Sequence, residues 1–583
     1  MNPHSEYQSR LQARRAEANR LARRQILLGY PRLASAILFF VLAWYAPQWT
    51  IVPAVAFGVL VRFHDRLRRA HRHVSRAAAA CERGLARLEH RWAGTGESGE
   101  RFRDPSHPYA DDLDVFGPGG LFELLSTART RMGEHTLAAW LLRPAAPGVA
   151  RERQAAVAEL RDRLGLREDL AVLGEDARAD VHPETLLRWA AEPPVFDSRA
   201  ARLAAAGLAL LAVAGVAVVA VWGRLAPLAA ILALEAAFVC WFRSRVQHVV
   251  YAIECAAHDL DLLTGVLLRL ERERFQSPLL ARLRAALETA GLPPSRQFTR
   301  LHRLVEWLDS QDNWFLRIIG PPLLMTTQLA FAVEAWRKQA GPQVRRWVEA
   351  VGEMEALCAL AGYAWEHPDD PFPEFLDGKG RFEGEALGHP LLADDRLVRN
   401  DVRLAADHPL LVVSGSNMSG KSTLLRTVGI NAVLAMAGAP VRARRLRLSP
   451  LTVAGAIRVT DSLQGGASRF YAEITRLRQM VDLANGSFPV LFLLDELLHD
   501  TNPNDRRAGS DAVLRTLVGR GSIGLITTHD LALTQIAAAL AGSNVHFEDH
   551  IENGRVLFDY RLRPGVVEKS NALELMRSIG LEV

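Results

Sequence analysis

Cysteine is scarce in this chain. Its four residues, Cys81, Cys240, Cys255 and Cys358, form no C-x-x-C pair, which implies reduced thiols and no zinc site. The sequence contains no internal repeat and no low-complexity tract, which sets aside a repeat solenoid. Charge is missing from two long stretches. Residues 33–61 contain no charged side chain, and residues 203–242 contain only Arg224 and Glu235. Neither stretch fits a cleaved signal peptide, because the first begins after an Arg-rich leader and has no small-residue cleavage site.

What is present is dominated by LVVSGSNMSGKST, residues 411–423. An apolar run, Leu410 to Val413, enters a loop that fits G-x-x-x-x-G-K-[ST] at Gly415, Gly420, Lys421 and Ser422, and a helix-like segment follows. Strand, glycine loop and helix N-terminus together form an anion cradle, with backbone N–H groups and the helix dipole facing phosphates. Gly415, Ser416, Asn417, Met418, Ser419, Gly420, Lys421, Ser422 and Thr423 are therefore the expected nucleotide-binding residues. Lys421 can reach the β- and γ-phosphates, and the Ser422 hydroxyl can coordinate Mg²⁺.

A second apolar run, VLFLLDEL (Val490 to Leu497), has the composition of a buried parallel strand and ends in two acids. Asp495 at the strand end is placed to hold the Mg²⁺ shell, and Glu496 could orient or deprotonate an attacking water. A third run, SIGLITTHD, ends in Thr528, His529 and Asp530, where His529 could sense a γ-phosphate. This order of motifs belongs to ABC-type ATPases, and no guanine-reading N-K-x-D is present. The expected activity is Mg²⁺-dependent hydrolysis of ATP.

The stretch between these motifs decides the kind of ATPase. VTDSLQGGASRFYAEITRLRQMVDLA resembles the MutS mismatch-repair family segment D-D-L-x-x-G-x-S-T-F-x-x-E, through Asp461, Leu463, Gly466, Ser468, Phe470 and Glu473. Asn417 and Met418 give the loop a MutS-like wording. Gly388, His389, Pro390, Asn400 and Asp401 are similar to the family's entry to the ATPase domain. Thr130, Gly133, Leu137, Trp140, Leu141 and Pro144 resemble the start of its core domain. The segment NVHFEDHIENGRVLFDYRLRPGVVEKSNALELMRSIGL is similar to the closing hairpin and helix of MutS ATPases. The resemblance implies a homodimer in which Ser468, ahead of a helix-like run, completes the partner's ATP site. Three departures stand beside it. LLHDTNPND follows the DE pair in place of a glycine-rich G-R-G-T-S, and Arg469 replaces the usual threonine. No mismatch-reading domain is expected ahead of the core, and no nuclease-like extension after the ATPase.

The uncharged stretches read as membrane segments, since a helix needs about 20 apolar residues to cross a bilayer. Leu203 to Gly223 provides one span and Leu225 to Phe242 another, after a short turn at Gly223 and Arg224. Pro47, Gln48 and Pro53 interrupt the first region, which reads as two short spans bending at Ala46 to Trp49, with Trp44, Tyr45 and Trp49 as interfacial anchors. Arginines flank both regions on both sides: Arg24 and Arg32 before the first, Arg62 and Arg66 after it, Arg199 and Arg202 before the second, Arg243 and Arg245 after it. Each region is thus expected to be a hairpin returning to the cytoplasm, in a multi-pass protein of the cytoplasmic (inner or plasma) membrane with its ATPase facing the cytoplasm. These basic flanks also account for much of the formal net charge of +5, so the charge argues only weakly for nucleic acid.

The expected fold class is multidomain α plus α/β. Residues 1–92 form a basic segment with a membrane hairpin at about 33–61, and 93–110 a linker. Residues 111–365 form a MutS-like helical core and lever domain, interrupted by a second hairpin at about 203–242. Residues 366–386 are a second linker, and 387–583 a C-terminal P-loop (ABC-type) ATPase domain. The apolar zone Leu304 to Trp336 carries Arg317 and Pro321-Pro322, and reads as buried lever helices. Three functions follow from these pieces: a membrane-anchored ATPase that passes its movement through lever helices to the membrane or a partner, a tethered ATPase acting on mismatched or branched DNA, or a weakly hydrolysing ATP-dependent scaffold.

Overall fold

The computed structural model describes residues 2–173, 183–196, 199–256, 260–288, 291–310, 314–416, 418–458, 469–499, 501–529, 533–552 and 555–566. They divide into two compact units. The first comprises Met1–Thr127, Thr136–Leu164 and Ala356–Val583, and the second Ala128–His135 and Gly165–Glu355.

The first unit holds all ten strands among the described residues. β1 (Glu374–Phe375), β2 (Arg381–Leu387), β3 (Asn400–Ala405) and β5 (Arg445–Leu448) form one sheet in the order β1-β5-β2-β3. β4 (Leu410–Ser414), β6 (Thr452–Ala456), β7 (Val490–Asp495), β8 (Ile523–Thr528), β9 (Ser543–Glu552) and β10 (Arg555–Pro564) form the other, in the order β10-β9-β4-β8-β7-β6. Its pairings are parallel except for the β9–β10 hairpin. The continuous apolar runs that marked β4, β7 and β8 in the sequence are buried almost throughout, as strands covered on both faces require. Alternate side chains go to opposite faces. Phe492 and Leu494 pack with Met480 and Leu514 of the helices Arg469–Leu483 and Pro503–Gly519. Leu493 meets the helix Lys421–Ala437 at Gly429, where a Cβ would lie 2.6 Å from its Cδ1.

Residues 93–110 differ from the expected linker. The N–H groups of Gly94 and Gly96 donate to Glu123, Tyr109 Oη donates to the Leu141 carbonyl at 2.8 Å, and the Pro108 carbonyl accepts from Gly455 N at 2.7 Å. Gly, Pro and charge mark this segment as non-helical, but its backbone polar groups find partners in the sheet unit and order it there. Residues 111–127, expected in the helical core, also belong to this unit, with Asp112 accepting the N–H groups of Ile457 and Arg458.

The N-terminal hairpin has arms Pro3–Tyr45 and Ile51–Leu88, so the Arg-rich leader is itself helical. At its base Tyr7, Leu11, Ala78 and Cys81 pack with Trp365. Gly84 admits the Tyr7 ring, Tyr7 Oη donates to Glu366 at 2.9 Å, and Arg87 Nε donates to the same carboxylate at 2.8 Å.

The second unit is helical. Trp189 stacks on Trp336 with centroids 5.9 Å apart, and Phe298 and Trp347 fill the space beside them. Thr130 and Gly133 have a physical role here. The Thr130 N–H and hydroxyl donate to buried Glu355, and a Cβ on Gly133 would lie 2.3 Å from that carboxylate. The second hairpin consists of Arg199–Trp222 and Ala226–Ala256, with Leu228 and Ile231 seated on Gly215. Among the described residues three helices are long and apolar enough to cross a membrane: Pro3–Tyr45, Ala200–Trp222 and Ala226–Glu254. The return arm Ile51–Leu88 is not one of them, because Arg62, Asp65 and Arg66 end its apolar stretch early.

Candidate functional site

β4 ends at Ser414, and the chain turns through Gly415 at φ +149° and Gly420 at φ +102° before the helix Lys421–Ala437 begins. A Cβ on Gly415 would stand 2.9 Å from Ser419 Oγ, and one on Gly420 3.1 Å from the Tyr560 ring. Lys421 folds back into the loop, its Nζ donating to the carbonyls of Gly415 at 3.0 Å and Ser416 at 2.8 Å. Burial holds its ammonium below the usual lysine range, while Glu496 and Asp495 pull the other way. The hydroxyls of Ser416 and Ser419 are buried and without a hydrogen-bond partner among the described residues. The loop therefore gathers unused donors at a helix N-terminus, the arrangement an anion satisfies. Met418, also at positive φ, stands exposed at its edge.

The two acids sit beside this loop. Ser422 Oγ donates to Asp495 Oδ2 at 2.5 Å. Thr527, directly opposite Asp495 in the parallel ladder, donates its hydroxyl to Oδ1 and accepts the Glu496 N–H at 3.0 Å. One threonine thus fixes both acids, a role the sequence reading did not assign. Glu496 adopts φ +52°, which turns its carboxylate out of the strand line toward His529 Nε2 and to 3.9 Å from Lys421 Nζ. The hydrogen bond from His529, with the charges of His529 and Lys421, holds the Glu496 carboxyl below the usual range against the opposing effect of burial. His529 Nδ1 lies 3.0 Å from the Gly415 carbonyl, so the imidazole bridges the loop and the acid.

A cleft of about 640 Å³ opens over these groups, lined among others by Asn400, Lys421, Ser422, Glu496 and Tyr560. Tyr560 sits where the β9–β10 register shifts between Phe558 and Leu562, at φ +54°. Asn400 holds that irregularity, donating to the Tyr560 carbonyl at 3.0 Å and accepting the Leu562 N–H at 2.7 Å. Tyr560 is a site residue that pattern reading misses, because a bulge in a distant hairpin leaves no local signal. Glu473 accepts the Leu498 N–H at 2.7 Å and so steadies the turn after the acids. The departing LLHDTNPND segment has a readable logic: Asn502 caps the helix Pro503–Gly519 by accepting the Asp505 N–H at 2.9 Å, with Pro503 at the first helical position. His389 is buried, accepts the Leu391 N–H at 3.3 Å, and is pushed down to about 4 by that burial.

Two expected site residues, Asn417 and Ser468, lie outside the described residues, as do Asp461, Leu463, Gly466 and Asp530.

A mostly parallel sheet, a glycine loop at a strand end and a helix rising from it define a mixed helix and sheet domain. Residues 411–582 match the family model described as MutS domain V, so this part of the chain is similar to that domain of the MutS family. It is similar to the "DNA mismatch repair protein MutS" of Natronomonas pharaonis, 34% identical over 247 residues, covering 42% of this chain and 28% of that protein. It is similar also to the "Endonuclease MutS2" of Thermus thermophilus, 35% identical over 246 residues, covering 41% of this chain and 31% of that one. The "DNA mismatch repair protein MutS 2" of Haloarcula marismortui is 37% identical over 193 residues, 32% of this chain and 20% of the relative. The chain thus spans less than a third of the length of these curated relatives.

Proposed function

We propose that this chain is a membrane-anchored, Mg²⁺-dependent ATPase of the MutS family. The observation that carries the reading is the convergence of Lys421, the Ser422–Asp495 pair and the Glu496–His529 pair on one cleft at the end of the parallel sheet. The residues fit a nucleoside triphosphate. Ser416 and Ser419 offer buried hydroxyls without partners among the described residues, Gly415 and Gly420 give the loop the positive φ angles with which it turns, and the Tyr560 ring at the cleft offers a base a face to stack on. On binding, Lys421 exchanges two carbonyl acceptors for phosphate oxygens. Ser422 and Asp495 would hold Mg²⁺, which neutralises charge on the β- and γ-phosphates. Glu496, kept ionised by His529 and Lys421, orients the attacking water and takes its proton, and His529 stands between that base and the loop. Ser468 from a second copy would face the γ-phosphate, making the working form a homodimer.

Membrane attachment is supported by the three apolar helices and by the wide exposure of their large side chains, Phe40, Trp44, Leu210 and Trp241 among them. Transmission of the ATPase movement to that attachment is supported by Glu366, which joins the end of the Met325–Glu366 helix to both arms of the N-terminal hairpin. The names of two relatives, which mention DNA mismatch repair, favour a second reading, tethered action on mismatched DNA, with branched DNA as its variant. Salt-dependent binding of duplex, mismatched and branched DNA by the detergent-purified chain separates the two. The primary test is Mg²⁺-dependent ATP turnover by the full chain beside Lys421→Ala, which should bind and hydrolyse ATP poorly or not at all. Equal turnover by the two proteins would remove the assignment.

A further inference from the structure

The two apolar hairpins differ in length and in the chemistry of their turns. The second is long enough to cross. Leu203 to Trp222 rises about 30 Å and Leu225 to Phe242 about 27 Å at 1.5 Å per residue, against a hydrocarbon core of about 30 Å. Its turn holds Gly223 at φ +64° and exposed Arg224, groups suited to water on the far side. The first hairpin is shorter. On one arm the uncharged stretch Leu33 to Tyr45 rises about 20 Å, although the helix Pro3–Tyr45 is long and apolar enough to cross once Arg32 is admitted, and on the other Ile51 to Val61 rises about 17 Å. The arms run antiparallel in a register fixed by the His4–Glu89 contact at 3.0 Å and the Arg15–Glu82 pair at 2.6 Å. Arg32 on one arm and Arg62 on the other therefore end the apolar zone at nearly the same distance from the turn.

The turn of the first hairpin is built differently as well. Residues 46–50 carry no charge, and Pro47 and Pro53 remove two backbone donors that would otherwise need partners. The Ala46 N–H donates to the Leu42 carbonyl at 2.8 Å, Trp49 N–H to Ala46 at 3.0 Å, Thr50 N–H to Pro47 at 3.3 Å and Ala54 N–H to Thr50 at 3.2 Å. The Thr50 hydroxyl also donates to the Pro47 carbonyl, at 2.7 Å. A connection that satisfies so many of its own donors tolerates a medium without water. Around it Phe40, Trp44, Tyr45, Trp49, Ile51 and Val55 are each more than 60% exposed, so neither arm covers them.

We propose that the N-terminal hairpin is a wedge that enters the bilayer from the face of its own unit and stops inside it, its turn at 46–50 in the hydrocarbon and its arginine collar at the headgroups. This inference rests on the membrane reading above. Arg20, Arg23, Arg24 and Arg32 on one arm, with Arg62, Arg66, Arg68 and Arg69 on the other, match an anionic lipid surface and oppose deeper entry. The occupant of the apolar face is thus the acyl region of the bilayer.

The test uses single cysteines in the full chain, with the parent chain as background and a membrane-impermeant maleimide as probe. In intact expressing cells Arg224→Cys should be modified. Gln48→Cys should be protected both there and in inside-out vesicles, and become reactive once detergent dissolves the membrane. In phosphatidylcholine–phosphatidylglycerol liposomes, the emission lost in a Trp44→Phe/Trp49→Phe protein should be quenched more by bromines deep in the acyl chain than by shallow ones. Modification of Gln48→Cys in intact cells, or stronger shallow quenching, would show a crossing and overturn the wedge. Modification in inside-out vesicles would place the tip outside the bilayer, and protection that survives detergent would show a protein partner such as a second copy's tip. Either result also overturns it. In these cases Arg224→Cys still reports attachment. An unmodified Arg224→Cys in a chain released by alkaline carbonate would overturn the membrane reading itself.

Discussion

Glu496→Gln separates binding from chemistry at the proposed site. The amide keeps an oxygen that can accept from His529, so the turn after β7 and the Glu496 N–H bond to Thr527 stay in place. It loses the ability to take a proton, which for a positioned general base costs about 10²–10⁴ in rate, or about 3–5 kcal/mol in barrier. The second effect has the opposite sign. Lys421 Nζ lies 3.9 Å from the carboxylate, a separation worth about 4 kcal/mol at an effective dielectric of 20. Solvent screens much of that, because the Glu496 side chain is 31% exposed. Removing the charge frees Lys421 for phosphate, so nucleotide affinity should hold or rise while turnover falls. Equilibrium binding of labelled ATP with a single-turnover hydrolysis assay reads both quantities. Parental turnover would refute the assignment of the base, and loss of binding with loss of turnover would show that Glu496 organises the loop instead.

Lys421→Ala and Ser468→Arg proteins should each be inactive alone and regain activity on mixing, with one working site per heterodimer; no recovery from two folded, associating variants would reject the shared site. Burial pushes the Glu355 carboxyl up to about 7 against the hydrogen bonds from Thr130 and the Arg129 N–H. The folded chain therefore holds a proton that the unfolded chain releases near pH 4.5, and stability should fall by about 3 kcal/mol as pH rises from 4.5 to 7. Glu355→Gln should flatten that slope in thermal unfolding, and an unchanged slope would refute the cause. Glu366→Ala leaves part-buried Arg87 without its buried carboxylate; breaking a fully buried pair costs about 3–5 kcal/mol, and the cost here should be lower because the Arg87 side chain is 15% exposed. Hydrogen exchange should rise at the base of the N-terminal hairpin, and unchanged protection there would show that the apolar cluster alone holds it.

The elements legible in the sequence are those whose signal is local. Leu410–Ser414, Val490–Asp495 and Ile523–Thr528 announce themselves as unbroken apolar runs, and the glycine spacing before Lys421 marks a turn into a helix. Proline and glutamine near residue 48 marked the hairpin turn. What escaped depends on pairing between distant segments. Thr527 matters because the parallel register sets it opposite Asp495, and Tyr560 because a register shift turns it over Gly420. Residues 93–110 carry the composition of a flexible connection, yet Glu123 and Leu141 supply the hydrogen bonds that order them. The short return arm was readable in principle: the distance from Ile51 to Arg62 is a length, and only the packed partner arm shows that both share it.

The proposed transmission has a continuous physical route inside the first unit. Lys421 opens the helix Lys421–Ala437, and Asn431 on that helix is fully buried, its Oδ1 accepting the Arg442 N–H at 2.8 Å. The Arg442 guanidinium reaches Asp370 at 3.1 Å, and Tyr363 donates to the same carboxylate at 3.3 Å. Tyr363 lies one turn before Glu366, which takes Tyr7 and Arg87 from the two arms of the hairpin. Burial pushes the Asp370 carboxyl up to about 6 while Arg442 pulls it down, so this link depends on the arginine staying where it is. A chain of buried polar contacts transmits displacement only if it has two arrangements, since packed interiors switch between states and do not deform continuously. The element with a reason to have two is Lys421 itself. It now donates to two loop carbonyls that a bound phosphate would displace, and its helix carries Asn431, the first of these contacts.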